Sequence, residues 1–231
     1  MKVCILFYGI NRSIQYTYGS IETHILDVLK QNKIEYDIYV HTYSFKTSVT
    51  FQRARESNIR IDHKPLINTL NPTRYQVDDD DDITERLNLP QYRSKPDIFH
   101  DNYQSVNNYV KGLYSLKQAY LLSGGGYPVY LVVRPDLQYT APLSIDELRD
   151  CFHDRNVIYT PSFDMWGGFN DRFAFGGCDI MKTYCNRLDG FLEYSKVKYA
   201  HSESYLKHVL KTTKHTKMVC KRIRHNGMCV D

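Results

Sequence analysis

Residues 129–139, VYLVVRPDLQY, constrain this chain more than any other stretch. Val129, Tyr130, Leu131, Val132 and Val133 run without polar alternation, which predicts a short strand buried on both faces. Pro135 cannot donate to a sheet ladder, so the strand stops or turns there. Arg134 and Asp136 are thereby delivered to the end of a central strand. Ligands of open α/β sheets bind at that carboxyl edge. The same two residues can instead pair with each other or cap a turn, and the stretch itself leaves both readings open.

The N-terminus repeats the pattern. Residues 2–9 predict another strand covered on both faces, ending in the loop Gly9-Ile10-Asn11-Arg12-Ser13. A glycine there lets a nucleotide approach the backbone, and Arg12 can then face a phosphate or a base. The loop is neither a GxGxxG nor a P-loop pattern. Residues 18–32 predict a helix, with Ile21, Ile25, Leu26 and Leu29 on one face and Ser20 as its N-cap. Residues 35–42 predict a second strand. This strand–helix–strand opening implies an α/β fold with a mostly parallel sheet and right-handed crossovers.

Further along, residues 45–60 are read as helical and 75–77 as a short strand. The five aspartates at 78–82 are read as a solvated loop, because adjacent carboxylates repel and point in different directions. Residues 89–97 hold two prolines and are read as a loop, and 102–123 as the longest helix. Gly124-Gly125-Gly126 follows that helix, so it is a C-cap rather than a phosphate cradle. Residues 143–151 predict a helix and 156–160 a strand.

Residues 161–177, PSFDMWGGFNDRFAFGG, are the densest in unusual side chains. They hold the only tryptophan, Trp166, with Asp164, Gly167, Gly168, Asn170, Asp171 and Arg172, ahead of a short buried strand at 173–175. Glycines, an aromatic platform and a carboxylate just before a strand make a binding site. A loop pinned by Trp166 in a core would use the same residues structurally. A helix is expected at 179–189. His201-Ser202-Glu203 opens another, with Ser202 as N-cap and Glu203 in the first turn, where a carboxylate is also purely stabilising. Residues 218–223 are read as a last, edge strand. Arg222, Arg224 and His225 either reach a diphosphate or form a surface tail.

Bulk properties exclude several classes. A formal net charge of +4 over 231 residues is too balanced for wholesale nucleic-acid binding. The six cysteines form no CxxC pair and have no histidine at zinc-finger spacing, so they are read as free thiols in a reducing compartment. No stretch approaches the roughly 20 apolar residues of a membrane span. A soluble cytoplasmic protein of one domain is the expectation, with residues 1–140 as a nucleotide-binding half and 141–231 as an acceptor half.

Three segments in order carry a resemblance: the strand ending in Gly9 and Arg12, Arg134-Pro135-Asp136 after a central strand, and Gly167-Gly168-Phe169-Asn170-Asp171-Arg172-Phe173-Ala174-Phe175-Gly176. Together they resemble small viral and bacterial glycosyltransferases of the GT-A fold that build surface glycans, over residues 3 to about 210. The resemblance implies transfer of a sugar from a nucleoside diphosphate sugar to a glycan acceptor hydroxyl, in the host cytoplasm if the source is viral. In such enzymes a DxD motif binds a divalent metal, manganese or magnesium, which holds the donor diphosphate. Here Arg134 stands in place of the first aspartate, leaving Asp136 as metal ligand and Arg134 as a direct phosphate partner. Tyr8, Gly9 and Arg12 would line the nucleotide. Asp171, then Glu203, then Asp164 would take the acceptor proton if the reaction inverts. Trp166, Gly167, Gly168, Asn170 and His201 would contact the sugars. The alternative is a non-catalytic nucleotide-sugar or carbohydrate-binding module on a degenerate transferase fold.

Overall fold

The computed structural model describes residues 1–230. Strand β1 (Lys2–Tyr8) sits in the middle of the molecule. Its alternation decides the layering: Val3, Ile5 and Phe7 enter one apolar layer, and Cys4, Leu6 and Tyr8 the opposite one. Helix α1 (Ile14–Ile21) continues through a π turn (Glu22–Leu26) into α2 (Asp27–Gln31), and β2 (Glu35–Ser44) returns parallel to β1. The helix starts earlier than residue 18. Ser20 is therefore inside it, its hydroxyl donating to the Thr17 carbonyl at 2.7 Å, and is not an N-cap.

Residues 45–60 are not helical. They form a hairpin of β3 (Val49–Phe51) and β4 (Glu56–Ile59). Val49, Thr50 and Phe51 favour extended backbone, and Arg55 and Asn58 take left-handed φ of 52° and 54°, which turns the chain where a helix would continue. After α3 (Lys64–Leu70) come β5 (Arg74–Asp79) and α4 (Asp80–Arg86). The aspartate run is thus a strand end and a helix start rather than a loop. Asp79 caps α4 through the Asp81 and Asp82 amides, and Asp80 to Asp82 fill its first turn, where the helix dipole favours anions.

A short 3₁₀ turn (Leu89–Tyr92) precedes the long helix α5 (Gln104–Leu122), then β6 (Val129–Val133) and β7 (Leu137–Tyr139). The second half supplies α6 (Ile145–His153), β8 (Ile158–Pro161), β9 (Ala174–Gly177), α7 (Cys178–Cys185), α8 (Leu188–Val197), α9 (Ser202–Leu210), β10 (Lys214–Thr216), β11 (Cys220–Ile223) and β12 (Cys229–Val230).

The main sheet has the order β10-β8-β9-β6-β1-β2-β5, with helices on both faces. Neighbours are parallel except around β9, which runs against both β6 and β8. This single reversal builds the site. With Val132 opposite Ala174, the residues entering β9 lie beside those leaving β6, so Asp171 and Arg172 reach the same edge as Arg134. A smaller antiparallel sheet, β12-β11-β7, forms beyond Pro135. Residues 220–223 are its central strand rather than an edge of the main sheet, and the Ile223 amide donates to the Asp136 carbonyl at 2.9 Å. The C-terminal arginines are folded back over the end of β6 by this pairing.

Candidate active site

A cavity of about 710 Å³ opens at the carboxyl edge of β1 and β6, lined by Tyr8, Gly9, Arg134 and Asp136 among others. The first wall is the loop after β1. Gly9 has φ +92°, a backbone that side chains avoid although the space beside it is open. Its amide donates to the Ser115 hydroxyl of α5 at 2.8 Å. Ser115 is held in turn by His41 Nδ1 at 2.8 Å, and His41 Nε2 lies 3.2 Å from Asp78 Oδ2. Burial lowers the His41 pKa even with Asp78 opposing it. One of the five aspartates thus anchors a buried chain of hydrogen bonds beneath the loop.

Arg134 and Asp136 pair with each other. Arg134 Nε and Nη2 donate to Asp136 Oδ1 and Oδ2 at 2.9 and 2.8 Å, a bidentate fork across the bend at Pro135. Burial alone would raise the Asp136 carboxyl; the charge and hydrogen bonds of Arg134, aided by Arg12 and Arg222, hold it well below the usual carboxylate range. Arg12 packs over the Phe51 ring at 4.2 Å and donates to Glu56 at 3.2 Å. The other oxygen of Glu56 accepts the His225 amide at 2.6 Å, which ties the C-terminal segment to the same wall. The Nε atoms of Arg12, Arg187 and Arg224 are buried without a hydrogen-bond partner.

These residues do not fit a divalent metal. Hard cations take several oxygen ligands with open lone pairs. Both oxygens of Asp136 are engaged by Arg134, and guanidinium groups surround it. Among the described residues no three His, Cys, Asp or Glu side chains gather as a ligand set. In this structure Asp136, expected as a metal ligand, serves as the brace of an arginine.

The loop from residue 162 to 173 forms the second wall. Asp164 and Trp166 both take left-handed φ of 44°, and Trp166 is 69% exposed at the cavity rim rather than packed in a core. Asp164 pairs with Arg172 at 3.1 Å. Asn170 is buried; it donates to the Phe163 carbonyl at 2.8 Å and accepts the Arg172 amide at 2.9 Å. It braces the loop and does not line the cavity. Gly167 and Gly168 do not line it either. A Cβ on Gly168 would lie 2.0 Å from the Glu203 carbonyl carbon, and the Phe169 amide donates to the Glu203 carbonyl at 3.1 Å. The glycine exists so that this loop can lie on the start of α9. Of the residues expected to contact sugars, Trp166 and His201 line the cavity; Gly167, Gly168 and Asn170 shape its wall.

His201, rather than Ser202, caps α9, its ring nitrogen accepting the Ser204 amide. The ring nitrogen also lies 3.5 Å from Glu203 Oε2, and the Ser202 hydroxyl donates to that oxygen at 2.6 Å. Burial and the charge of Asp171 raise the Glu203 pKa. Arg187, between α7 and α8, stacks on Tyr184 at 4.0 Å and donates to the Tyr184 carbonyl at 2.7 Å. It has no carboxylate at ion-pair distance among the described residues. The same holds for Arg53, which sits over the Phe99 ring at 4.5 Å, and for Arg224.

The cavity therefore has a cationic part, with Arg12, Arg134, Arg222 and Arg224 around Asp136, and an acidic part, with Asp171 and Glu203. Tyr8 is within electrostatic reach of both. Seven arginines and one lysine face four carboxylates along its lining. Sequence reasoning missed Arg53, Lys111 and Arg187. Arg187 lies in the break after α7, inside the stretch 179–189 read as helix, and Arg53 on a hairpin read as a helix, so neither carried a local signal.

No protein-family model matches the chain, and no curated protein matches it. Among solved structures it is similar to mouse xyloside xylosyltransferase 1 in its apo form, with 11% sequence identity and a TM-score of 0.43 over 91% of this chain and 81% of that one.

Proposed function

We propose that the protein is a glycosyltransferase that moves a sugar from a nucleoside diphosphate sugar to an acceptor hydroxyl. The supporting observation is the division of one cavity into an arginine-rich part, fitted to a diphosphate, and a part holding a carboxylate of raised proton affinity. Displacement at an anomeric carbon asks for both. The acceptor oxygen forms a bond to that carbon as the bond to the diphosphate oxygen breaks. The acceptor proton must go to a base, and the charge left on the diphosphate must meet cations.

Glu203 is the base in this reading. Its raised pKa brings it closer to the range where a carboxylate takes a proton effectively near neutral pH, and Asp171 supplies the charge that raises it. Asp164 is the weakest of the three, because Arg172 already holds it. Tyr8, Gly9 and Arg12 line the nucleotide, and Trp166 at the rim offers a face to the acceptor. This base assignment belongs to an inverting reaction.

The test is a panel of uridine, guanosine, cytidine and adenosine diphosphate sugars incubated with a mixed glycan acceptor pool. Release of the free diphosphate is measured, together with the mass of the acceptor. Acceptor-stimulated release with one donor, abolished in Glu203→Gln, is expected. Donor binding with neither hydrolysis nor transfer would assign the protein to the binding-module alternative.

A further inference from the structure

We infer that the diphosphate is held by guanidinium groups alone and that donor binding needs no divalent cation. This rests on reading the cavity as a nucleotide-sugar site.

At the place where a carboxylate would turn its oxygens to a metal, Asp136 turns both to Arg134, at 2.9 and 2.8 Å, inside a cluster of guanidinium groups. Glu56, the next carboxylate along this wall, is occupied by Arg12 and by the His225 amide.

The donors, by contrast, are in surplus. Arg224 is 9% exposed and lines the cavity, with its Nε lacking a partner; Arg12 Nε is likewise buried and unmet. An unmet buried N–H is costly, and one on a cation more so, so these guanidiniums carry a hydrogen-bonding demand that the protein itself does not meet. A planar guanidinium offers a fork that matches two phosphate oxygens. A diphosphate spans two such groups and carries the charge that the lining is short of. Arginines so placed would also meet the charge that develops on the leaving diphosphate oxygen, the task a metal performs elsewhere.

Glu56 and the pairing of β11 with β7 fix the geometry. They draw residues 222–225 onto the end of β6, so that Arg224 from the C-terminal segment and Arg134 from mid-chain come to one wall. The anion site is thus a product of the C-terminal strand pairing.

Isothermal titration of the full chain with inorganic pyrophosphate and with UDP, GDP, CDP and ADP tests this. Each probe is measured in EDTA and again with manganese. At least one probe is expected to bind in EDTA with no gain on adding manganese. Arg224→Gln should weaken that binding at least tenfold while circular dichroism stays unchanged, since loss of one charge-assisted bond corresponds to about that factor. Asp136→Asn, whose amide oxygen still accepts from Arg134, should not make the remaining binding respond to manganese. Binding that appears only with manganese and disappears in Asp136→Asn would overturn the inference and leave the transferase reading standing. No binding of any probe in either buffer would also overturn it. Chelator-resistant binding without turnover of any sugar nucleotide would uphold the arginine site and defeat the transferase reading instead.

Discussion

Asp136 and Glu203 sit in the same cavity and have opposite characters. Asp136 emerges from β6 into a bidentate clasp and is held below the usual carboxylate range; Glu203 opens α9 near another carboxylate and is shifted upward from its ordinary value. Both are substantially buried, and burial raises each. The sign of the outcome is set by the neighbour: Arg134 reverses the effect of burial at one place, and Asp171 adds to it at the other. Residue type therefore says little about role here. A carboxylate fixed in its charged state is a structural brace, and one whose proton is easily held can exchange it with a substrate.

The largest expected effect separates the two. Glu203→Gln removes a base and should lower kcat by roughly 10²- to 10⁴-fold, with a melting temperature at or above that of the wild type. Asp136→Ala removes a brace. It leaves Arg134, half-buried on the cavity wall, without its partner and should cost about 1–3 kcal/mol of stability in urea denaturation. A Glu203→Gln variant that unfolds as readily as Asp136→Ala, with full activity in the folded fraction, would erase the contrast.

The pH dependence carries the same contrast with opposite signs. Asp136 binds a proton less readily folded than unfolded, so its contribution is complete above about pH 4 and is lost as pH falls toward its depressed folded value. Glu203 binds a proton more readily folded than unfolded. Its contribution is complete below about pH 4 and is lost as pH rises through its raised folded value. Denaturation midpoints of Glu203→Gln relative to the wild type should therefore rise with pH across that window and then level off. In the transfer reaction, the acid limb of kcat/KM should sit above an ordinary glutamate value of about 4.3 and should be absent in Glu203→Gln.

Gly168 tests how the second region is assembled. A methyl group there meets the Glu203 backbone at 2.0 Å, so Gly168→Ala must separate the 162–173 loop from α9. Overpacking of this kind costs about 1–3 kcal/mol. Because the displaced atoms belong to Glu203, activity should fall further than stability does. The Gly168→Ala melting temperature and kcat are the two readouts.

How much was legible in the sequence follows the same division. β1, β2, β6, α5 and α9 announce themselves through apolar runs and helical spacing, because burial on both faces leaves little freedom in their composition. The delivery of Arg134 and Asp136 to a carboxyl edge was likewise readable from a strand end; that Asp171 joins them was not, because it depends on β9 running against β6. The hairpin at 49–59 was not, since two short exposed strands make no periodic pattern. Nor was the pairing of β11 with β7, which depends on contacts between residues about 80 apart in sequence and brings Arg222 and Arg224 to the site. Gly168 signalled close approach, and what approaches it is α9; Gly167 has open space beside it and supplies a left-handed turn at φ +79°.

Trp166 carries the smallest effect and sharpens the comparison at the rim. A bulky side chain at φ 44° is strained by about 1–2 kcal/mol, and at 69% exposure it recovers little of that through burial. Glycine relieves the strain but adds about 0.5–1 kcal/mol of unfolded-state entropy. Trp166→Gly should therefore be as stable as the wild type or more stable by up to about 1 kcal/mol, whereas Trp166→Ala, which keeps the backbone strain, should gain nothing. If the ring is a platform for the acceptor, both variants lose the apolar area it covers, about 60 Å² or about 1.5 kcal/mol, which is roughly tenfold in acceptor KM. Donor affinity should be unchanged. A loss of several kcal/mol of stability in Trp166→Gly would mean that the ring packs against the fold, and the 162–173 loop would then be a brace like Asp136.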